Sequence, residues 1–172
     1  MAKLVKNGEY GQLELNQVSF PRTGRIEAQC ALDTSDFSEA NPAENGMILV
    51  VDNVTRTIKK TKTLGGVANE IFALNYSAEH MYDDRDLGQL RKFKLVPGTF
   101  YPRLGFLSIG EKFTTNTVAI ANLEAIELGA TLVPGTDGYW TPGETGNVIA
   151  QVIKKTTMPD GQPALKLQVV KA

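Results

Sequence analysis

A chain of 172 residues with 42% apolar and 22% charged side chains is long enough for one domain with a substantial core, and its composition is ordinary for a soluble globular protein. A formal net charge of −1 lacks the basic field of a nucleic-acid binder, no apolar run approaches the roughly 20 residues of a membrane span, and MAKLVKNGEYG opens without the apolar core of an export signal. The single cysteine, Cys30, can form no internal disulfide, which fits folding in a reducing cytoplasm.

Residues 1–25 scatter apolar side chains among Gly, Asn and Gln, and within them GQLELNQVSF alternates like a strand far from any obvious hairpin partner. Exposed apolar surface costs about 25 cal/mol for each Å². Something is therefore expected to cover Leu4, Val5, Tyr10, Leu13, Leu15 and Phe20: either the protein's own sheet or a neighbouring subunit, the second being favoured. Residues 1–25 are accordingly read as an arm or extended segment and residues 26–172 as a β-rich domain. LDTSDFSEANPAEN, Leu32–Asn45, carries four acids and no base and reads as a loop.

GMILVVDN (Gly46–Asn53) is the clearest strand, a short β-branched run between NG and DN. In VTRTIKKTKT, Val54, Arg56, Ile58, Lys60 and Lys62 alternate with threonines, the pattern of an exposed or edge strand. EIFALNYSAEHMY fits both periods. Val67, Ile71, Leu74 and Ala78 make a helical stripe, whereas Phe72, Leu74, Tyr76, Ala78, His80 and Tyr82 follow period two, and the aromatic content tips the reading to a strand.

The pentapeptide LVPGT occurs at Leu95–Thr99 and again at Leu132–Thr136. Proline fixes φ and the following glycine supplies a left-handed position, so both copies are expected to end a strand in a type II turn. The aromatics behind them, Phe100 and Tyr101, then Tyr139 and Trp140, would cover the end of a sheet. A second repeat, SIGEKF and ELGATL, places a turn glycine before an apolar residue that restarts a buried strand, 19 positions apart. VAIANLEAIELG (Val118–Gly129), preceded by Thr-Asn-Thr, permits one short capped helix. NVIAQVIKKT and ALKLQVVK flank MPDGQP, a strong hairpin signal. The sum is an all-β, single-domain sandwich or partly closed barrel with at most one short helix and an N-terminal arm.

The residues that carry chemistry are sparse. His80 is the only histidine, so any Ser-His-Asp or Cys-His arrangement would need it, and it reads as structural or surface. His80 and Cys30 together are too few for zinc. Asp83, Asp84 and Asp86 in YDDRDLG lack the pattern of a calcium loop and read as a solvated turn. Glu124 and Glu127 read as exposed acids at helical spacing. No phosphate-binding glycine motif occurs, and Arg56, Lys59, Lys60 and Lys62 read as a solvated face before a phosphate contact. Tyr139 and Trp140 could stack on a sugar, though packing against the sheet end is preferred. No enzyme is expected, and no cofactor or metal.

Taken together, ENGMILVVDN, IGEKFTTNT, LGATLVPGTDGYW and the terminal PDGQPALKLQVVK resemble small capsid decoration (cement) proteins of tailed bacteriophages, over roughly Glu44–Ala172. The resemblance implies a β-rich part, made in the host cytoplasm, that sits on the capsid exterior and stabilises the lattice. Its implied partners are the major capsid protein and copies of itself, often as a trimer, with no nucleic acid or membrane. A terminal arm contacts the capsid, which makes Leu4, Val5, Tyr10, Leu13, Leu15 and Phe20 the candidate capsid or subunit contacts. The alternatives are another virion part, such as a head-fibre base or tail component, and a carbohydrate-binding module using Tyr139 and Trp140.

Overall fold

The computed structural model describes residues 10–77, 95–120 and 122–172. In chain order these form β1 (Leu13–Gln17), α1 (Phe20–Thr23), β2 (Ile26–Glu27), β3 (Ala31–Leu32), β4 (Ile48–Asp52), β5 (Thr57–Lys59), β6 (Ile71–Asn75), β7 (Leu104–Gly105) and β8 (Lys112–Thr115). A 3-10 turn (Leu123–Ala125) follows, then β9 (Thr131–Pro134), β10 (Trp140–Pro142), β11 (Ile149–Thr157) and β12 (Pro163–Lys171). The strands make two six-stranded sheets, ordered β1-β8-β12-β11-β9-β10 and β2-β7-β6-β4-β5-β3. The fold is an all-β sandwich.

The second sheet is covered on both faces, which explains why Ile48–Val51 is apolar at every position instead of every other one. Ile48 and Val50 point into the core between the sheets with Phe72, Leu74, Phe113, Leu165 and Leu167. Leu49 and Val51 point the other way, into a second core with Ile58, Ala73, Phe37, Ala43 and Leu95. Phe37 and Ala43 come from the acidic 33–45 segment, so that loop is the wall of a core. Strands buried on both sides need continuous apolar runs.

The SIGEKF and ELGATL repeat is realised in three dimensions. Gly110 and Gly129 both have φ +90°, each in a turn closed by a backbone bond, Glu111 N–H to Ser108 O and Ala130 N–H to Glu127 O, each at 3.2 Å. Each glycine N–H then donates at 2.8 Å to a valine carbonyl of the central hairpin, Val169 and Val152 respectively. Those valines return N–H bonds at 2.9 Å to the carbonyls of Glu111 and Ala130. A left-handed glycine bonded in this way is the opening of a G1 bulge. The pairings Phe113↔Leu167 and Leu132↔Ala150 are equivalent, as are Lys112↔Gln168 and Thr131↔Gln151. The four central strands are therefore related by a local two-fold axis through the Gln151↔Gln168 pair.

The predicted C-terminal hairpin is β11–β12, with Gly161 at φ +85° in its turn. The strand reading of Ile71–Asn75 also holds; His80 and Tyr82 lie outside the described residues. Four expectations are corrected. The two LVPGT copies differ: Val96–Thr99 is a turn with Gly98 at φ +83°, whereas Pro134 lies inside β9 opposite Trp140 and the chain reverses at Gly135–Gly138. Pairing with β10 overrides the local turn preference there. The helix over 118–129 is only the 3-10 turn, capped by the Asn122 side chain accepting from Glu124 N–H, because Val118 is drawn into a bridge with Trp140. The four-residue α1, Phe20–Thr23, has no counterpart among the sequence expectations.

Within VTRTIKKTKT only Thr57–Lys59 is strand. Asp52 Oδ1 accepts from Val54 and Thr55 N–H and folds the preceding residues into a turn, and β5 lies inside the sheet, with β3 outside it. Finally, residues 10–25 do not form a separate arm: β1 pairs with β8 through Leu13↔Thr115, and α1 and β2 follow directly.

Candidate interaction surface

The predicted contact residues lie mostly inside the protein. Tyr10, Leu13 and Phe20 are buried, and Leu15 packs at the margin of the core between the sheets. Phe20 stands 5.0 Å from the Tyr76 ring, and an added Cβ at Gly105 would meet its ring at 2.3 Å, so glycine there makes room for it. The protein's own sheets cover these side chains, in place of the neighbouring subunit that was favoured. Leu4 and Val5 lie outside the described residues, as do His80, Asp83, Asp84 and Asp86.

Tyr139 and Trp140 are also interior. The Trp140 indole N–H donates to Gly46 O at 3.2 Å and its ring lies 5.5 Å from Phe113, while Tyr139 O–H donates to Glu44 Oε2 at 2.8 Å. Burial, reinforced by the adjacent Glu44 carboxylate, pushes the Tyr139 hydroxyl far above its usual range and keeps it a donor. Neither ring offers a face to a sugar, which removes the platform of the carbohydrate-binding alternative.

The basic residues of 56–62 disperse to separate tasks. Lys59 pairs with Asp52 at 2.8 Å, Lys62 pairs with Asp36, and Arg56 reaches Gln29 O at 3.4 Å. Lys60 is buried, with its ammonium 3.0 Å from Asn41 Oδ1 and 4.8 Å from the centre of the Phe37 ring. Cys30 is buried too, and burial followed by the Glu27 charge raises its thiol. Among the described residues no three His, Cys, Asp or Glu side chains converge as a metal site.

A polar network crosses the start of β1. Gln12 N–H donates to Asn116 Oδ1 at 2.8 Å, and Asn116 Nδ2 donates to Gln162 Oε1 at 2.9 Å. Gln162 Nε2, Tyr10 O–H and Gln12 Nε2 all donate to Asp160 Oδ2, at 2.6, 2.6 and 2.7 Å. Burial pushes the Asp160 carboxyl up, but these donors outweigh it and hold it at about 2. A depressed carboxylate contributes stability that is complete above its unfolded value near 3.9 and is lost as pH falls through the folded one. Discounted for the exposure of Asp160, the contribution is about 1 kcal/mol. Between pH 5 and 2 the native protein is therefore expected to lose about 1 kcal/mol more stability than Asp160→Asn, measured by urea denaturation across that range. Equal losses in both would show that the donors do not act on this carboxylate.

What faces outward is apolar at the turns. Phe100 and Tyr101 are each 62% exposed just behind the Val96–Thr99 turn, contrary to the expectation that they cover a sheet end. Ile109 and Leu128 stand out at equivalent places, immediately before the left-handed Gly110 and Gly129. Beside Ile109, residues 17–19, Arg22 and Glu111 line an open depression of about 380 Å³. The duplicated turn is legible in the sequence, and the apolar residue before each turn glycine is the signal for the two exposed tips. Compared with known proteins, the chain matches no family model, no curated protein and no solved structure.

Proposed function

We propose that this protein is a non-catalytic virion part that binds the exterior of a bacteriophage capsid lattice and stabilises it. The observation that carries the reading is the division of labour among side chains. Buried carboxylates serve the fold: Glu111 accepts from Ser19 and Ser108 N–H, Asp36 from Lys60 N–H, and Glu44 from Tyr139. Large apolar side chains are instead offered at turn tips, where they suit contact with a preformed surface. The resemblance in the motifs around IGEKFTTNT and LGATLVPGT supplies the capsid as that surface. A part that binds only the assembled shell stabilises it by mass action.

Purified protein is expected to bind shells stripped of their accessory proteins and to raise their resistance to heat. Failure to bind such shells, with absence from purified virions, sinks the proposal. Changing Phe100 and Tyr101 together to serine should leave the free protein within about 0.5 kcal/mol of its native stability. The same change should weaken shell binding at least about tenfold. A double variant that binds normally places the contact elsewhere.

A further inference from the structure

Lys60 follows β5 and is one of the few charged residues with almost no exposure. Its amine is directed at a single side chain, the Asn41 amide, at 3.0 Å from Oδ1. That amide is fixed from its other end, because Nδ2 donates to Asp36 O at 3.0 Å, so only one orientation satisfies both neighbours. The backbone beneath is fixed as well: Ser38 and Asn41 exchange N–H to O bonds at 3.1 Å in each direction, closing a tight turn. Asp36 Oδ2 accepts the Lys60 backbone N–H at 2.9 Å, which anchors the loop to the strand beside the pair. An amine and an amide are thus held together at the edge of the second core, the amine over the Phe37 ring.

We propose that Lys60 and Asn41 condense into an intramolecular isopeptide bond, a cross-link that the protein forms on itself. In this reaction the neutral Lys60 amine attacks Asn41 Cγ, the new Nζ–Cγ bond forms, and the Cγ–Nδ2 bond breaks. One proton of Nζ is transferred to the departing Nδ2, which leaves as ammonia; no oxidant, reductant or cofactor enters the balance. Burial favours the neutral amine that the attack requires, and it outweighs the opposing fields of Asp36, Asp137 and Glu44. Asp36 exerts the strongest of those fields, with its Oδ1 paired to Lys62 and its Oδ2 to the Lys60 backbone N–H. Fixing both reactants on hydrogen-bonded backbone holds the amine 3.0 Å from the amide oxygen, the neighbour of the Cγ it would attack. Asn41 itself is at the surface, which gives ammonia an exit.

The test is mass spectrometry of the full chain, purified and held for several days at pH 8. The expected chain is lighter by one ammonia, about 17 Da. Its tryptic digest contains a branched peptide joining residue 41 to residue 60, with no cleavage after Lys60. Lys60→Arg and Asn41→Ala, handled in parallel, keep their full mass at these positions. An unshifted native mass overturns the proposal. So does a loss of ammonia that maps away from the branched peptide, or a gain of about 1 Da at Asn41 from attack by water instead of the amine.

Discussion

Replacing Trp140 by alanine is expected to lower the stability of the free protein by about 3–5 kcal/mol, which for a chain of this size is a fall of roughly 8–15 °C in melting temperature. The indole is fully buried, faces Phe113 at 5.5 Å, and donates its N–H to Gly46 O at 3.2 Å, so the change opens a cavity and orphans a carbonyl together. Trp140→Phe separates the two: it keeps most of the packing and loses the donor, and should cost about 1–2 kcal/mol. The measurement is guanidinium unfolding of all three proteins. An alanine variant within about 1 kcal/mol of native would mean that the ring is not part of the core.

Gly46→Ala should be nearly as damaging, although it adds one methyl group. Gly46 has φ +82°, and a Cβ there would lie 2.2 Å from Thr115 Oγ1 and 2.9 Å from Thr117 Oγ1. Neither hydroxyl is free to retreat. Thr115 Oγ1 donates to Gln12 O at 2.7 Å and accepts from Thr117 N–H at 3.0 Å, and Thr117 Oγ1 donates to Asn45 O at 2.6 Å. The expected loss is about 3 kcal/mol or more, from left-handed strain and broken buried bonds together. Gly98→Ala is the control, because Gly98 has φ +83° with nothing within 4 Å of the added atom, and only the strain of about 1–2 kcal/mol remains. Equal midpoints for the two variants would refute the steric argument.

Information within a few residues was read well. The run at Ile48–Val51, the Asp160-Gly161 hairpin and the paired turn glycines Gly110 and Gly129 all depend on local backbone preference or local apolar density. Readings failed where a distant strand decides. Leu132–Pro134 of the second LVPGT is held straight by β10, so the turn starts later, and Leu13 and Phe20 are covered by residues distant in the chain, such as Thr115 and Tyr76. Val118–Gly129 has the composition of a helix, but Val118 is already committed to Trp140. The Lys60–Asn41 pair was beyond reach for the same reason. Alternation placed Lys60 on a solvated face, and only the fold of the 33–45 loop brings an amide to it.

The two sheets divide the chain unevenly in time. Every strand of the second sheet, β2 to β7, comes from residues 26–105, whereas the first sheet waits for β8 to β12, although its edge strand β1 is made before all of them. During synthesis the second sheet can pair completely while its inner face, Ile48, Val50, Phe72 and Leu74, has no opposing layer. At ~5–20 residues per second, that face stays open to water for roughly three to thirteen seconds on every ribosome. The nascent chain is then a half-sandwich with an adhesive side, and slower emergence of residues 106–172 is expected to lower the yield of native protein. Slow codons placed after residue 105 would lengthen that interval, and holdase chaperones would have their main target there.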